Sequence, residues 1–345
     1  MADDIAEDSI GSSFARTTDT SAKDATVEVA GNAKLTAGGD ITGANGGTLL
    51  ITVDGTVELE SEGDVDISST QSLDIAEITA EGDVAVTALG NITSSNTDAA
   101  ITGASTSLDA ISPTDGESTI ESNDGSALKL DTDSLDLSAD TADITVDGDV
   151  ELGDITAEDV TITAAGDVTQ KEGTQVDAES LTVNAKGDVD LTTDVDKLDV
   201  NTNGDVHVDN SSDELEVNIS GKDVEIKTDG SITTGDNGKI KADNLTITAL
   251  DEAGTDDSTL KLEVSGEIEI TSIREGVEYV NELIPIRTIE NRKAGIRLTG
   301  GFAENAVLEV INTVHYAYLF LEDFDEVHPL PFESRHRSPP AQKLP

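Results

Sequence analysis

The sequence predicts an all-β fold, a three-sided parallel β-helix of roughly twelve coils that ends in a C-terminal β-rich cap. Three observations predict it. Apolar and polar residues alternate along most of the chain, glycine-led turns separate the short alternating runs, and the whole unit repeats. Alternation at period two indicates strands, because successive side chains of a strand point to opposite faces. A helix would instead place its apolar residues at spacings of three and four.

The repeat is clearest between residues 181 and 234, where its period is seventeen. Three columns define it: Leu181, Leu198 and Leu215; Val183, Val200 and Val217; and Gly187, Gly204 and Gly221. In the third copy one inserted residue shifts the positions that follow the glycine. A single apolar position recurs ahead of each pair, at Val176 and Val195, and predicts the third side. We expect Val183, Val200 and Val217 to lie directly over one another in a dry aliphatic column.

Composition favours a thin solenoid over a globular core. The 345 residues include 72 acidic and 20 basic residues, a net charge of −52, no cysteine and 2% aromatics. Low hydrophobicity with high charge also marks disordered chains, but disorder gives no reason for period-two columns from Val27 to Ile270. The negative charge disfavours nucleic acid as a partner. No run of eighteen apolar residues occurs, so we expect no membrane insertion.

Changes in pattern divide the chain into four segments. We expect a flexible acidic lead-in at 1–25, the β-helix at 26–270, an aromatic-rich β region at 271–326, and a flexible proline-rich tail at 327–345. Between about residues 91 and 140 the columns blur, and two interpretations stand, namely bulged coils or a break between two solenoid segments.

The aromatic-rich region differs in surface from the coils that precede it. Seven of the eight aromatic residues lie between Tyr279 and Phe332. Such a region either covers the open end of the apolar core or adds strands from another chain. The residues expected to carry this capping or assembly role are Tyr316, Tyr318, Phe320 and Phe324.

Aspartates recur after the turn glycines of successive coils. Four of them would lie close together and are weak candidates for calcium ligands, namely Asp149, Asp167, Asp188 and Asp205. A structural interpretation is favoured, in which glycine turns the corner with a positive φ and aspartate accepts hydrogen bonds from the turn backbone. The tandem glycine-rich repeats of calcium-binding β-rolls are missing. We therefore expect no cofactor beyond weak or non-specific calcium.

Catalytic signatures are missing from the sequence, and we predict no enzyme activity. Enzymes on parallel β-helices act chiefly on acidic polysaccharides and need basic and aromatic residues, both of which are scarce in the coils. With 72 carboxylates, some pair always lies at a plausible catalytic distance, so paired acids carry no signal. His207 is expected on the outward face of a strand, and His315, His328 and His336 share no metal-ligand spacing.

The unit Leu181-Thr182-Val183, followed by Gly187-Asp188-Val189-Asp190-Leu191, resembles the repeat region of filamentous-haemagglutinin-type surface adhesins. The resemblance covers about residues 27–270. It implies a right-handed parallel β-helix outside a bacterial cell. The expected function is a non-enzymatic extracellular structural protein, either an adhesin stalk or the subunit of a self-assembling surface filament or matrix. Its expected partners are further copies, end to end, or other components of the cell surface or matrix.

Two other classes of function stay open at this point. One is an intracellular scaffold of the polymer-forming β-helical cytoskeletal type. The other, with less support, is a polysaccharide-active β-helix enzyme.

Overall fold

The structure is a computed structural model that describes residues 26–272 except 44–45, 97, 99, 114–115, 124, 236–237, 252 and 255–259. It also describes the backbone of five strands nearer the termini. These parts contain 29 β-strands and no helix. The strands stack into a β-solenoid of about 11 turns, close to the number predicted. No helix in the described residues is long and apolar enough to cross a membrane.

The first ten strands are β1 Arg16–Thr18, β2 Thr26–Val29, β3 Ala33–Ala37, β4 Leu49–Val53, β5 Thr56–Ser61, β6 Val65–Ser69, β7 Leu73–Ala80, β8 Val84–Leu89, β9 Ile92–Ser94 and β10 Ile101–Ile111. Next come β11 Thr119–Ser122, β12 Leu128–Ser138, β13 Thr141–Val146, β14 Val150–Ala164, β15 Val168–Gln170, β16 Val176–Ala185, β17 Val189–Asn201, β18 Val206–Asn210, β19 Glu214–Ser220 and β20 Asp223–Thr228. The last are β21 Ser231–Thr233, β22 Ile240–Ala242, β23 Asn244–Ala249, β24 Lys261–Val264, β25 Ile268–Ser272, β26 Thr288–Asn291, β27 Ile296–Gly300, β28 Val310–Asn312 and β29 Leu319–Glu322.

Each coil contributes strands to three sides of the solenoid. The first side contains the strands that follow the glycine turns, such as β18, β20 and β23. The third side contains the strands that precede those turns, such as β22, β24 and the ends of β16 and β17. The shorter second side lies between them. Long strands run round the corners, since β14 pairs with β15 through its first residues and with β16 through its later ones.

The core is a set of aliphatic columns that run along the solenoid axis. One column of the third side places Ile144, Ile162, Val183, Val200, Ile219, Ile240 and Leu262 in direct cross-coil register. All seven side chains are at least 96% buried, as the alternating pattern predicts. Burying an aliphatic side chain of this size contributes about 1.5–3 kcal/mol. Stacked columns therefore replace the aromatic core that the composition does not provide.

The predicted columns hold for the first two copies of the repeat and are wrong for the third. Val183 pairs with Val200, but Val200 then pairs with Ile219, and Val217 lies over Leu198. The step from 198 to 217 is 19 residues and not 17. A shift of two residues keeps every side chain on its face of the sheet, so alternation cannot reveal it. The core stays continuous, because Val217 and Ile219 are both buried.

The extra residues lie in the segment that joins β18 to β19. Five residues, 211–215, separate Asn210 from Glu216, whereas three separate their partners Thr193 and Lys197. The following turn is one residue shorter. There the N–H of Lys222 donates to the Gly204 carbonyl at 2.8 Å, so Lys222 occupies the place of the turn glycine.

The blurred region of the sequence consists of longer coils in the same stack. Ile92 pairs with Ile120 and Leu108 pairs with Leu137, which are steps of 28 and 29 residues. The parallel ladder therefore runs from β8 and β9 through to β13 and β14. Of the two interpretations, bulged coils are confirmed within the described residues.

The two ends of the solenoid differ in their pairing. At the N-terminal end, β1 lies inside the predicted lead-in and pairs with β2, and this is the one antiparallel pair among the described strands. At the other end, β26 to β29 continue the parallel ladders past residue 270, with Ile268, Ile296 and Leu319 in register. Phe320 pairs with Arg297 through the backbone. Tyr316, Tyr318, Phe324 and the tail at 327–345 lie outside the described residues, so the capping or assembly role stays a prediction.

Candidate functional site

The four aspartates singled out in the sequence form a ladder of hydrogen bonds between coils. The carboxylate Oδ1 of Asp149 accepts from the N–H of Asp167 at 2.8 Å, and that of Asp167 accepts from Asp188 at 2.7 Å. Asp188 accepts from Asp205 at 2.8 Å in the same way. Each carboxylate therefore satisfies the backbone donor of the next turn, and the residues lie together as predicted. Calcium binding at their remaining oxygens stays a prediction.

Among the turn glycines, Gly166 and Gly187 are needed for space, whereas Gly148 is needed for a positive φ. A Cβ on Gly166 would lie 1.8 Å from Oδ1 of Asp149 and 2.8 Å from its backbone nitrogen. A Cβ on Gly187 would meet Asp167 in the same way. The positive φ expected from the sequence occurs at Gly148, at +144°, but not at Gly166 or Gly187. Gly166 and Gly187 thus admit the carboxylate of the preceding coil, whereas nothing lies within 4 Å of a Cβ built on Gly148, and its positive φ is the reason for glycine there.

A buried polar cluster on the second side was not predicted from the sequence. Asn210, only 1% exposed, accepts hydrogen bonds through Oδ1 from the Thr193 hydroxyl at 2.8 Å and from the Val195 N–H at 3.0 Å. Its Nδ2 donates to Ser212 Oγ at 2.9 Å. Ser212 in turn donates to the Val195 carbonyl at 2.8 Å. The cluster holds the longer segment 211–215 against the coil below it.

A ridge of carboxylates runs along the corner between the second and third sides. We define the carboxylate ridge as Glu158, Asp177, Glu179, Asp194 and Asp196, all at least partly exposed. Asp177 and Asp194 are direct cross-coil partners. Like charges in direct opposition are destabilising. The carboxylates of the ridge therefore repel one another, and a cation or a basic partner surface would reduce that repulsion.

The ridge continues into an open groove of about 910 Å³ beside the buried cluster. Five carboxylates line it, together with a single lysine, Lys197, and several serine and threonine residues. The carboxylates are Asp194, Asp196, Asp213, Glu214 and Glu216. The described residues contain no group of three or more histidines, aspartates or glutamates placed to hold a metal ion.

Two columns of outward residues on the third side are less acidic than the ridge. We define the polar strip as two stacked columns that contain three carboxylates, three lysines and eight uncharged polar residues. The strip consists of Asp143, Thr145, Thr161, Thr163, Thr182, Asn184, Asp199, Asn201, Asn218, Ser220, Lys239, Lys241, Lys261 and Glu263. Its formal charge is therefore zero, in a chain whose net charge is −52.

The three lysines of the strip lie together on neighbouring coils. Lys239 Nζ contacts Glu263 Oε2 at 2.7 Å, and Lys261 Nζ donates to the Gly235 carbonyl at 2.9 Å. Lys241 is exposed beside them. A second open groove of about 510 Å³ lies along this edge, and Lys241 and Lys222 are among its lining residues.

Hydrogen bonds and burial shift the pKa of a few groups. Hydrogen bonds from the Ser112 hydroxyl and from Ser118 hold the pKa of Asp140 below its ordinary value. Burial raises the pKa of Asp143, and a hydrogen bond to Asp205 raises the pKa of Lys222. These contacts fasten loops and neighbouring coils to one another.

His207 lies on the outward face of β18, as predicted. Its Nδ1 lies 2.7 Å from Oδ1 of Asp190 on the preceding coil, and the two side chains are 41% and 66% exposed, respectively. The histidine is therefore part of a surface pair. His315, His328 and His336 lie outside the described residues.

One part of the chain matches a known family of protein repeats. Residues 139–198 match a family described as repeats of unknown function (DUF5649). The matched segment includes β14, β16 and most of β17, where the ladders between neighbouring coils are long. No curated protein and no solved structure matches the chain. The match fits a repeat β-solenoid and describes no activity.

We predict that added salt raises the melting temperature by a few degrees, because added ions weaken the repulsion between like charges on the ridge and the turns as the Debye length shortens to about 8 Å at 0.15 M. Thermal unfolding followed by circular dichroism in low and high sodium chloride measures this. Calcium chloride at matched ionic strength separates binding from screening. The variant Glu179→Gln with Asp196→Asn should gain less from salt. A melting temperature indifferent to both salts would mean that the carboxylates lie too far apart to interact.

Proposed function

We propose that this protein is a non-enzymatic structural rod of the bacterial cell exterior, which serves as an adhesin stalk or as the subunit of a self-assembling surface filament or matrix. The observation that carries the proposal is the uninterrupted parallel ladder from β2 to β25 and onward into β29. About 11 turns at ~4.8 Å each give a rod on the order of 50 Å long.

The surface of the coils supports a structural role. Residues 26–272 contain no aromatic residue, so aromatic platforms for stacking sugars are missing from the coils. The acidic and lysine-edged grooves are open and lined mainly by charged and hydroxyl side chains. Ligand pockets for small substrates are usually enclosed and largely apolar. Surfaces of this kind suit contact with solvent or with another macromolecule.

The ends of the solenoid support growth in one direction. The ladders of the first and third sides end in β29 and β28 at the C-terminal end of the described coils. Strands at the end of a stack offer unpaired backbone groups to a further strand. We propose that end-to-end assembly uses this end, with the aromatic-rich region contributing to the contact.

The test combines electron microscopy of the pure full-length chain with antibody labelling of intact cells. We expect labelling at the cell surface, together with single rods for a stalk or with fibres for a filament. A cytoplasmic marker that stays unlabelled controls for broken cells. Protein found only inside cells, as fibres, would overturn the extracellular role and favour the intracellular scaffold. Uronic acid released from a panel of glycans would overturn the non-enzymatic role.

A further inference from the structure

The first coil of the solenoid is covered on one strand and open on the next. β1 pairs with β2 in the antiparallel direction through three residue pairs, with Thr17 opposite Val27 in the middle. The inward residues of β2, Val27 and Val29, are 3% and 6% exposed. On β3, which pairs with β5 and with no other described strand, Leu35 and Ala37 are only partly buried. The N-terminal end of the apolar core is therefore closed beside β1 and open beside β3.

The open edge of β3 resembles a stack that lacks its next coil. Leu35 lies in register with Leu59, which is 1% exposed because β5 has a strand on each side, β3 and β7. A further coil over β3 would bury Leu35 in the same way. It would also pair the backbone groups along the free edge of the strand.

The opposite end of the solenoid provides strands that match this edge. β28 continues the third side and β29 continues the first, and no described strand pairs with their outer edges. When two copies share one axis and one direction, β28 of one copy faces β3 of the next, because both belong to the third side. Such a head-to-tail contact leaves one free end on each copy, so it can continue into a filament.

β1 occupies the edge that this contact requires. A second copy would add a parallel strand beside β2, as β4 does on the other edge. One edge accepts one strand, so the antiparallel β1 and the second copy compete for β2. β1 is held to the coils through only three residue pairs, whereas a full coil would pair along β3 as well.

We propose that the N-terminal end of the solenoid binds the C-terminal end of a second copy, and that β1 is a strand plug that has to leave β2 first. The proposal rests on the structural role given above and adds the partner surface and its control. A plug that holds the edge for about nine-tenths of the time weakens the apparent affinity about tenfold. The lead-in therefore limits the growth of the rod.

The first test measures the self-association of the full-length chain by analytical ultracentrifugation in about 0.15 M salt. The variant is Thr17→Pro with Thr18→Pro. Proline has no N–H, and successive N–H groups of a strand point to opposite sides, so at least one donor to β2 is lost. The apparent dissociation constant should fall at least about tenfold. The control, Ser12→Pro with Ser13→Pro, makes the same change ahead of β1 and should leave the constant unchanged.

The second test locates the contact on β3. Adding Leu35→Asp to the proline variant should reverse the gain at least about tenfold, because a charge then lies in the apolar contact between coils. The control is Thr36→Asp, an exposed neighbour on the same strand, which adds the same charge and should keep the gain. Circular dichroism spectra and melting temperatures that match the parent chain show that the variants are folded.

The outcomes separate this proposal from the one on function. A parent chain that associates as tightly as the proline variant overturns the plug. A proline variant that stays monomeric at about 100 μM overturns the contact between ends. Association that Leu35→Asp leaves unchanged overturns the assignment of the contact to β3. Association that needs the proline variant, in a protein that antibodies find only inside cells, supports the plug and overturns only the extracellular role.

Discussion

Replacing Val200 by aspartate should unfold the central coils. Val200 is 1% exposed and packs between Val183 and Ile219 in the longest aliphatic column. An aspartate side chain there has no hydrogen-bonding partner. Burying it costs several kcal/mol, even when the carboxylate takes up a proton and becomes neutral. We expect a loss of at least about 4 kcal/mol in the free energy of unfolding. This would be among the largest effects of any single substitution in the coils.

The shape of the unfolding transition is as informative as its size. Each coil contacts only its neighbours, so one broken interface should divide the stack into two segments that melt separately. Circular dichroism should show two transitions, and limited proteolysis should cut first between about residues 189 and 220. The control is Asn201→Asp, an exposed neighbour on the same strand, which should shift stability by less than ~0.5 kcal/mol. A single unshifted transition in the Val200 variant would contradict the stacked column.

The sequence predicts side-chain direction far better than it predicts register. Every residue of the columns Leu181 to Leu215 and Val183 to Val217 is buried, as alternation requires. Their vertical partners change at the third copy, because a two-residue insertion at 211–215 leaves the alternation intact. Which residue lies over which is decided by segment lengths between strands, and those lengths are visible only once the strands are placed.

The sequence predicts where the turn aspartates lie but not which hydrogen bonds they form. The repeated Gly-Asp pair indicates that Asp149, Asp167 and Asp188 share one edge, and they do. The sequence alone suggested a bond within each turn and a positive φ at each glycine. In the structure the bond joins successive coils. Gly166 and Gly187 make room for the carboxylate from the coil before, and only Gly148 of these three has the positive φ. A contact between coils cannot be read from the local sequence of either one.

The sequence contains a signal for the buried polar cluster, but the alternating pattern of apolar and polar residues makes it easy to overlook. Thr193, Asn210 and Thr228 each follow two inward aliphatic residues at spacings of two, which is the inward parity of the strand. A polar residue repeated at an inward position predicts a hydrogen-bonded interior column. The three residues are direct cross-coil partners. The longer segment 211–215 begins beside the middle one, so the cluster and the register shift belong to one feature.

Replacing Asn210 by alanine should loosen this feature and cost about 3 kcal/mol in the free energy of unfolding. The change removes the acceptor for the Thr193 hydroxyl and the Val195 N–H and the donor to Ser212. Each buried group left without a partner costs about 1–3 kcal/mol, and the three losses are coupled. Urea unfolding measures the change in free energy. Hydrogen exchange at the Val195 amide should accelerate more than exchange at the Val183 amide, because the loss of the acceptor is local.

Two further variants decide whether the loss of stability comes from lost hydrogen bonds or from lost side-chain volume. Asn210→Leu fills the space but satisfies no polar group, so it should destabilise the protein as much as alanine does. Asn201→Ala removes an exposed amide of similar size from β17 and should cost less than ~0.5 kcal/mol. A leucine variant as stable as the parent chain would show that the site needs only filling. We expect both Asn210 variants to lose stability and to show faster hydrogen exchange only within 193–215. That result would show that a hydrogen-bonded interior column fixes the register at which the third copy of the repeat stacks.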